Sequence, residues 1–122
     1  MCLTVDKENF KIETAQEDIV CYKVLEKYSG YIISPYCKFL YEIGKEYKTI
    51  IEPRLRESCY EINKGFHSFL TLEDAKDEME SLHCDAFRCF RCVIPKGSKI
   101  VYGTYLAKDA IVSEEIKIIE EV

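Results

Sequence analysis

Hydrophobic and polar positions along the chain predict several short strands. Ile19–Leu25 is rich in β-branched and aromatic residues, which favour an extended strand. Ala86–Ile94 alternates apolar with polar positions, a pattern that is typical of a strand with one buried face. Further extended segments are predicted at Tyr31–Tyr47 (two pieces, interrupted by Pro35 and Gly44), Tyr47–Ile51, Gly65–Leu70, Lys99–Tyr102 (ended by Gly103) and Ile116–Ile119.

A helix is predicted at about residues 72–83. Thr71 is a suitable N-cap, and Glu73 and Asp74 place negative charge in the first turn, where the helix dipole favours it. One face carries apolar residues at helical spacing, and the rest is charged. The apolar positions are Leu72, Ala75, Met79 and Leu82, and the charged positions off that face are Lys76, Glu78 and Glu80.

These elements predict an α+β fold with a mostly antiparallel sheet of short strands and one well-marked helix. The segment at about residues 53–62 follows Pro53 and allows either a loop or a second short helical segment. Residues 1–17 are polar and predict an N-terminal arm or a weak strand. Residues 18–122 then form a single domain, as the chain length favours.

Composition and charge narrow the classes of partner. Hydrophobic residues make up 48% and charged residues 32%, a balance typical of globular domains. The net charge of −5 argues against a nucleic-acid partner, because binding to phosphates depends on Lys and Arg. No run approaches the ~18 apolar residues of a membrane span. The polar N-terminus does not resemble a secretory signal, and the seven cysteines are an odd number, so we expect a cytoplasmic protein with reduced thiols.

The cysteines nearest a histidine form the most visible cluster, His83-Cys84-x4-Cys89-x2-Cys92. Cysteine and histidine together can bind zinc when their side chains converge on one ion. On a strand, however, residues three apart point to opposite faces. This spacing therefore favours Cys89 and Cys92 as core residues and predicts no metal, although the sequence alone leaves a site with His83 and Cys84 open.

Aromatic residues provide the candidate binding positions. Seven of the nine tyrosines lie between Tyr22 and Tyr60, and tyrosine suits both strands and partner surfaces. On an alternating strand at Gly65–Leu70, Phe66 and Ser68 share one face while His67 and Phe69 share the other. The imidazole then lies either in the core or in a cleft. The candidate binding residues are His67, Ser68, Phe66, Tyr41 and Tyr47.

Four segments together carry a resemblance: YKVL (Tyr22–Leu25), FLYEIGKEY (Phe39–Tyr47), KGFHSF (Lys64–Phe69) and IPKGS (Ile94–Ser98). Over roughly residues 19–120 the chain resembles a group of small uncharacterised phage and bacterial proteins. These have a YEIGKxY segment and a Gly-Phe-His box. The resemblance implies a phage or mobile-element origin and no particular reaction.

A second stretch, GFHSFLTLEDAKDEM, is similar to a segment of ADP-ribosyltransferase-type domains. The resemblance implies that His67 and Ser68 line a nicotinamide pocket. It also implies that Glu114 or Glu115 stands for the late catalytic glutamate. The family's early strand supplies an Arg or His that holds NAD, whereas the corresponding strand here offers Tyr22 and Lys23.

From these features we expect a non-catalytic binding or interaction module, with a protein partner or a small ligand and without a cofactor. Self-association is a further option, since tyrosine-rich faces and strand edges pair readily. The alternative is an ADP-ribosyltransferase-like enzyme that uses NAD, or a degenerate relative that has kept the pocket. The sequence leaves open whether the protein is an enzyme at all.

Overall fold

The computed structural model describes residues 2–35 and 38–122 and shows a mostly β protein. The prediction of an α+β fold is wrong, because strands account for 55% of the chain and helix for 8%. Thirteen strands form one antiparallel sheet that curls into a half-barrel. Tyr36 and Cys37, inside the predicted Tyr31–Tyr47 segment, lie outside the described residues.

The strands are β1 (Leu3–Asp6), β2 (Glu13–Thr14), β3 (Ile19–Tyr28), β4 (Tyr31–Ile33), β5 (Leu40–Tyr41), β6 (Glu46–Lys48), β7 (Glu52–Leu55), β8 (Cys59–Lys64), β9 (Phe66–Phe69), β10 (Phe87–Ile94), β11 (Lys99–Tyr105), β12 (Lys108–Ser113) and β13 (Glu115–Glu121). The helix α1 is Leu72–Ser81 and lies between β9 and β10 in the chain.

The curl of the sheet follows from how its two ends are connected. The main strand order is β6-β13-β10-β3-β9-β12-β11-β1-β8-β7, while β2 pairs with β11 and the β4–β5 pair extends from β3. The end strands β6 and β7 are neighbours in the chain, joined by residues 49–51. Because so short a link spans only about 10 Å, the two ends of the sheet must come together.

Alternation along the strands sorts the core into three clusters. The main cluster contains Cys21, Leu25, Ile32, Tyr41, Phe66, Phe90, Cys92, Ile94, Ile100, Ile111, Ile116 and Ile118. The helix cluster contains Val24, Phe69, Ala75 and Cys89, and the β1 cluster contains Leu3, Val5, Ile51, Ile62, Val101, Ala110 and Val112. Cys89 and Cys92 thus belong to different clusters on opposite faces, as the strand pattern predicts.

The helix begins as its sequence predicts and ends earlier. The Thr71 hydroxyl accepts a hydrogen bond from the backbone N–H of Asp74, 3.2 Å away, and caps the first turn. The last helical residue is Ser81, two residues before the predicted end at His83. Glu78, which the sequence places off the apolar face, is buried. Among the described residues no helix is long and apolar enough to cross a membrane.

The prediction of a second helical segment at about 53–62 is wrong, since these residues form most of the β7–β8 hairpin. The Arg56 N–H donates to the Cys59 carbonyl at 2.8 Å and closes the turn. On its other side β8 pairs with β1, where Leu3 is in register with Ile62 and Val5 with Tyr60. A partner some 55 residues away in the sequence therefore makes this segment extended.

The strand predicted at Lys99–Tyr102 does not end at Gly103 but continues to Tyr105, and β12 follows as a strand that the sequence pattern does not predict. The glycine is there because β1 lies against it. A Cβ at Gly103 would lie 2.6 Å from the Thr4 carbonyl oxygen, so only glycine allows this approach.

The β11–β12 hairpin turns through two residues in left-handed conformations. Tyr105 is in register with Lys108, which leaves Leu106 and Ala107 as the loop, with φ of 49° and 64°. This geometry is that of a type I′ turn, for which Asn-Gly is the preferred sequence. Residues with a Cβ pay about 1–2 kcal/mol each in this region, so the loop is strained.

We therefore expect the double substitution Leu106→Asn with Ala107→Gly to raise the free energy of unfolding by about 1 kcal/mol. Urea unfolding monitored by circular dichroism measures the change. Ala107→Val, which adds a β-branched side chain at the same φ, is the matched control and should destabilise the protein. A double variant no more stable than the wild type would contradict the strained turn.

Candidate functional site

The sheet is split along one edge of β3. On its other edge β3 pairs with β10 over its full length up to Glu26. On the split edge Tyr22 is in register with Phe69 of β9, and Glu26–Tyr28 pair with β4. Lys23, Val24 and Leu25 have no register partner on this edge among the described strands. β9 and β4 therefore diverge from β3 and leave a slot between them.

The main chain of Val24 points into this slot. The Lys27 N–H donates to the Ala86 carbonyl, 2.7 Å away, just before β10. In an antiparallel ladder alternate residues direct their main-chain groups to the same neighbour. Odd-numbered residues of β3 thus bond toward β10, and Val24 directs its N–H and C=O to the opposite side. An amide donor and acceptor consequently line the slot.

Lys23 bridges the split. Its Nζ donates to the backbone carbonyl of His67, and the ammonium lies 5.7 Å from the ring centroid of Tyr41. Because Phe69 pairs toward β3, the same alternation directs His67 toward β3 as well. The side chain of Lys23 thereby takes the place that a strand N–H would have in an unbroken ladder. It is buried, with 7% of its surface exposed.

The slot encloses a cavity of about 120 Å³. It is lined by Lys23, Val24, Leu25, Ser34, Pro35, Tyr41, Asn63, Gly65, His67, Phe69, Glu78 and Leu82. Leu25 and Tyr41 belong to the main cluster, whereas Val24 and Phe69 belong to the helix cluster. The slot is therefore lined from both faces of the sheet, and its volume corresponds to about four water molecules.

His67 is a hydrogen-bonded core histidine that also lines the slot. Its Nε2 lies 2.8 Å from the Ile62 carbonyl oxygen, and its Nδ1 lies 3.1 Å from that of Gly65. Burial lowers the pKa of the imidazole to about 4, against the hydrogen bonds to these carbonyls, which favour protonation. The ring is therefore neutral at pH 7 and donates to one carbonyl at a time.

Gly65 is required beside this histidine. Its φ is +132°, and a Cβ there would lie 2.3 Å from Cγ1 of Val112. Glycine thus allows the chain to turn from β8 into β9 while packing against β12. The Gly-Phe-His box owes its first residue to this contact.

Sequence reasoning missed the two charged residues of the slot, Lys23 and Glu78. Lys23 alternates with Cys21 and Leu25, so its strand position already indicated the core face. Glu78 lies three residues after Ala75 and four before Leu82, which borders it on the apolar stripe. It is 6% exposed, and its Oε1 accepts a hydrogen bond from the Ser81 hydroxyl at 2.9 Å.

Three of the predicted binding residues form an aromatic cluster beside the slot. The ring of Tyr41 lies 5.2 Å from that of Tyr47 and 6.3 Å from that of Phe66, and Phe39 contacts all three. The Tyr47 hydroxyl accepts a hydrogen bond from the Glu42 N–H at 2.7 Å. Of these aromatic residues, Tyr41 also lines the slot, whereas Tyr47 and Phe66 support it from behind.

Ser68 lies away from the slot, under the sheet. Its hydroxyl faces the Cys21 thiol without reaching normal hydrogen-bond geometry to any described residue. Burial raises the pKa of Cys21 to about 11 and that of Cys92 further. Both thiols are therefore protonated at neutral pH and are poor nucleophiles.

The two glutamates of the transferase resemblance lie elsewhere. Glu114 holds the link between the ends of the sheet: its Oε2 accepts from the Ile51 N–H at 2.9 Å, and its carbonyl accepts from Thr49 at 2.8 Å. Glu115 forms an ion pair of 3.2 Å with Lys48. Neither residue is among those that line the slot with His67.

The cysteine–histidine cluster does not converge. Cys84 is exposed, Cys89 is buried with its Sγ 3.8 Å from the sulfur of Met79, and Cys92 lies on the other face. Within residues 2–35 and 38–122, no group of three or more His, Cys, Asp or Glu side chains has an arrangement that could hold a metal ion.

Comparison with known proteins gives no relative: no family model, no curated protein and no solved structure matches this chain. The resemblances to phage and bacterial proteins and to ADP-ribosyltransferases therefore stay predictions. The function has to be argued from the geometry of the slot.

The low pKa of His67 predicts a stability that falls in acid. The unfolded imidazole takes up a proton near pH 6.5, whereas the native one stays neutral down to about pH 4. Between these values the unfolded state binds more protons, so the free energy of unfolding falls as the pH drops. The full contribution is up to about 3 kcal/mol.

His67→Gln retains a donor for Ile62 and does not titrate, so this part of the pH dependence should be absent in the variant. Urea unfolding of both proteins above and below the window measures the difference. Equal pH dependence in wild type and variant would show that the imidazole is not held neutral by burial.

The contacts of Glu114 predict a structural effect. Glu114→Ala leaves the Ile51 N–H without its acceptor and should lower the free energy of unfolding by about 1–3 kcal/mol. Glu114→Gln keeps an acceptor oxygen and should cost less. Glu115→Gln, which removes an exposed ion pair, is the control and should change stability by less than about 1 kcal/mol. Equal effects of the three substitutions would contradict the assigned role of Glu114.

Proposed function

We propose that the protein is a non-catalytic binding module that holds a small ligand in the slot between β3, β9, β4 and α1. The observation that carries this proposal is the break in the sheet, where an unpaired stretch of β3 meets the buried polar groups of Lys23, His67 and Glu78. Burying polar and charged groups around a cavity costs stability. A ligand that uses these groups gives the arrangement a purpose.

The slot offers recognition groups rather than reactive ones. Both ring nitrogens of His67 lie within hydrogen-bond distance of backbone carbonyls, so the imidazole is not placed to move a proton of a ligand. Cys21 and Cys92 are protonated, and Ser68 is directed away from the slot. These contacts favour binding over nucleophilic or general-base catalysis.

The size of the slot favours a small ligand over NAD. Sites for drug-sized ligands and cofactors usually enclose about 300–1,000 Å³, whereas this cavity measures about 120 Å³. Glu114 and Glu115 also have other contacts, with Ile51 and Lys48. The NAD-using alternative therefore has no geometric support that the binding module lacks.

A set of alanine-sized compounds tests the proposal: a carboxylate, an ammonium, a zwitterion and a neutral amide. We expect at least one to give saturable NMR shifts at the amides of Val24 and His67 and to raise the melting temperature. Leu82→Trp should fill the slot and abolish both effects. Lys76→Trp, which adds the same side chain on the exposed face of α1, is the control and should retain them.

Two outcomes would contradict the proposal. In the first, none of the four compounds binds. In the second, binding survives in Leu82→Trp, which would place the ligand elsewhere. Saturable binding of NAD to the wild type, lost in Glu115→Gln, would instead favour the transferase alternative.

A further inference from the structure

Two side chains of opposite charge line the slot from opposite faces of the sheet. Lys23 is on the face of the main cluster, and Glu78 extends from α1, which packs on the other face. Each is more than nine-tenths buried, and no ion pair joins these two described side chains. We infer, on the basis of the proposed function, that the ligand is a small α-amino acid bound as its zwitterion.

The two charges are held apart by their own contacts. The Lys23 ammonium is anchored on the His67 carbonyl and over the Tyr41 ring. The Glu78 carboxylate is anchored by the Ser81 hydroxyl, one turn on in the helix. Opposite charges in a poorly hydrated site attract strongly, so an unfilled gap between them is unfavourable. An ion that carries both charges fills the gap favourably.

Ligands with one charge fit less well. A simple carboxylate would be attracted by Lys23 and repelled by Glu78, and a simple amine would experience the reverse. A neutral ligand would leave both buried charges without compensation. In a zwitterion the carboxylate lies toward Lys23 and the ammonium toward Glu78, and both interactions are favourable.

The remaining walls fit the rest of an amino acid. The main-chain N–H and C=O of Val24 point into the slot and can bond to the ligand's carboxylate or ammonium. Leu25, Phe69 and Leu82 supply apolar surface for a side chain. A volume of about four water molecules accommodates roughly the six non-hydrogen atoms of alanine.

Four compounds of the same shape test this inference on the unmodified protein. L-Alanine carries both charges, isobutyrate replaces the ammonium by methyl, alaninamide replaces the carboxylate by an amide, and isobutyramide has neither charge. We expect alanine to bind at least about tenfold more tightly than each of the others, because every replacement leaves one buried charge unpaired. NMR titration of the Val24 and His67 amides measures the affinities.

Two variants assign the charges to their partners. Lys23→Met should make alanine bind no better than alaninamide, because the carboxylate has lost its cation. Glu78→Gln should make alanine bind no better than isobutyrate. Because the four compounds act on the wild type, the inference remains testable if Lys23→Met does not fold.

The outcomes separate this inference from the proposed function. If isobutyrate, alaninamide or isobutyramide binds as tightly as alanine in the slot, the zwitterion is wrong and the binding module stands. If none of the four binds, both are wrong. Preference for alanine that persists unchanged in Glu78→Gln would overturn the role of the glutamate.

Discussion

The site depends on one constraint in the main chain: β3 has two different neighbours on the same edge. β9 meets it at Tyr22, and β4 meets it from Glu26 onward. Between them a few residues of strand are left without a partner, and their amide groups need other company. The ammonium of Lys23 supplies part of it by bonding to the His67 carbonyl across the gap. The slot is thus a consequence of strand pairing, and the side chains around it adapt to that break.

The closure of the sheet keeps this break in place. The ends of the sheet, β6 and β7, are joined by three residues, and Glu114 binds the main chain of that link at Thr49 and Ile51. The curl places the aromatic cluster of Phe39, Tyr41, Tyr47 and Phe66 behind one face of the slot. The helix α1 covers the other face with Glu78 and Leu82. Elements distant in the chain therefore form both walls.

The slot is a place where stability has been given up. Lys23 and Glu78 are buried in a region that apolar residues could fill, and β3 lacks ladder hydrogen bonds there. Departures from favourable packing are expected at functional sites, where binding a ligand compensates for them. The neutral, doubly contacted His67 has the opposite character, since its ring stiffens the entry to β9 rather than serving a ligand directly.

The sequence by itself determined the elements whose signals are local. Alternation predicted β3, β9 and β10 and the opposite faces of Cys89 and Cys92, and Thr71 marked the start of α1. Only the tertiary structure decided that the segment at 53–62 is extended, because β8 needs β1 from the far end of the chain. It also decided the slot: neither the break in β3 nor the approach of Glu78 to Lys23's cavity has a local signal. Strand pairing joins distant residues, and a chain pattern records which face is apolar but not which neighbour is missing.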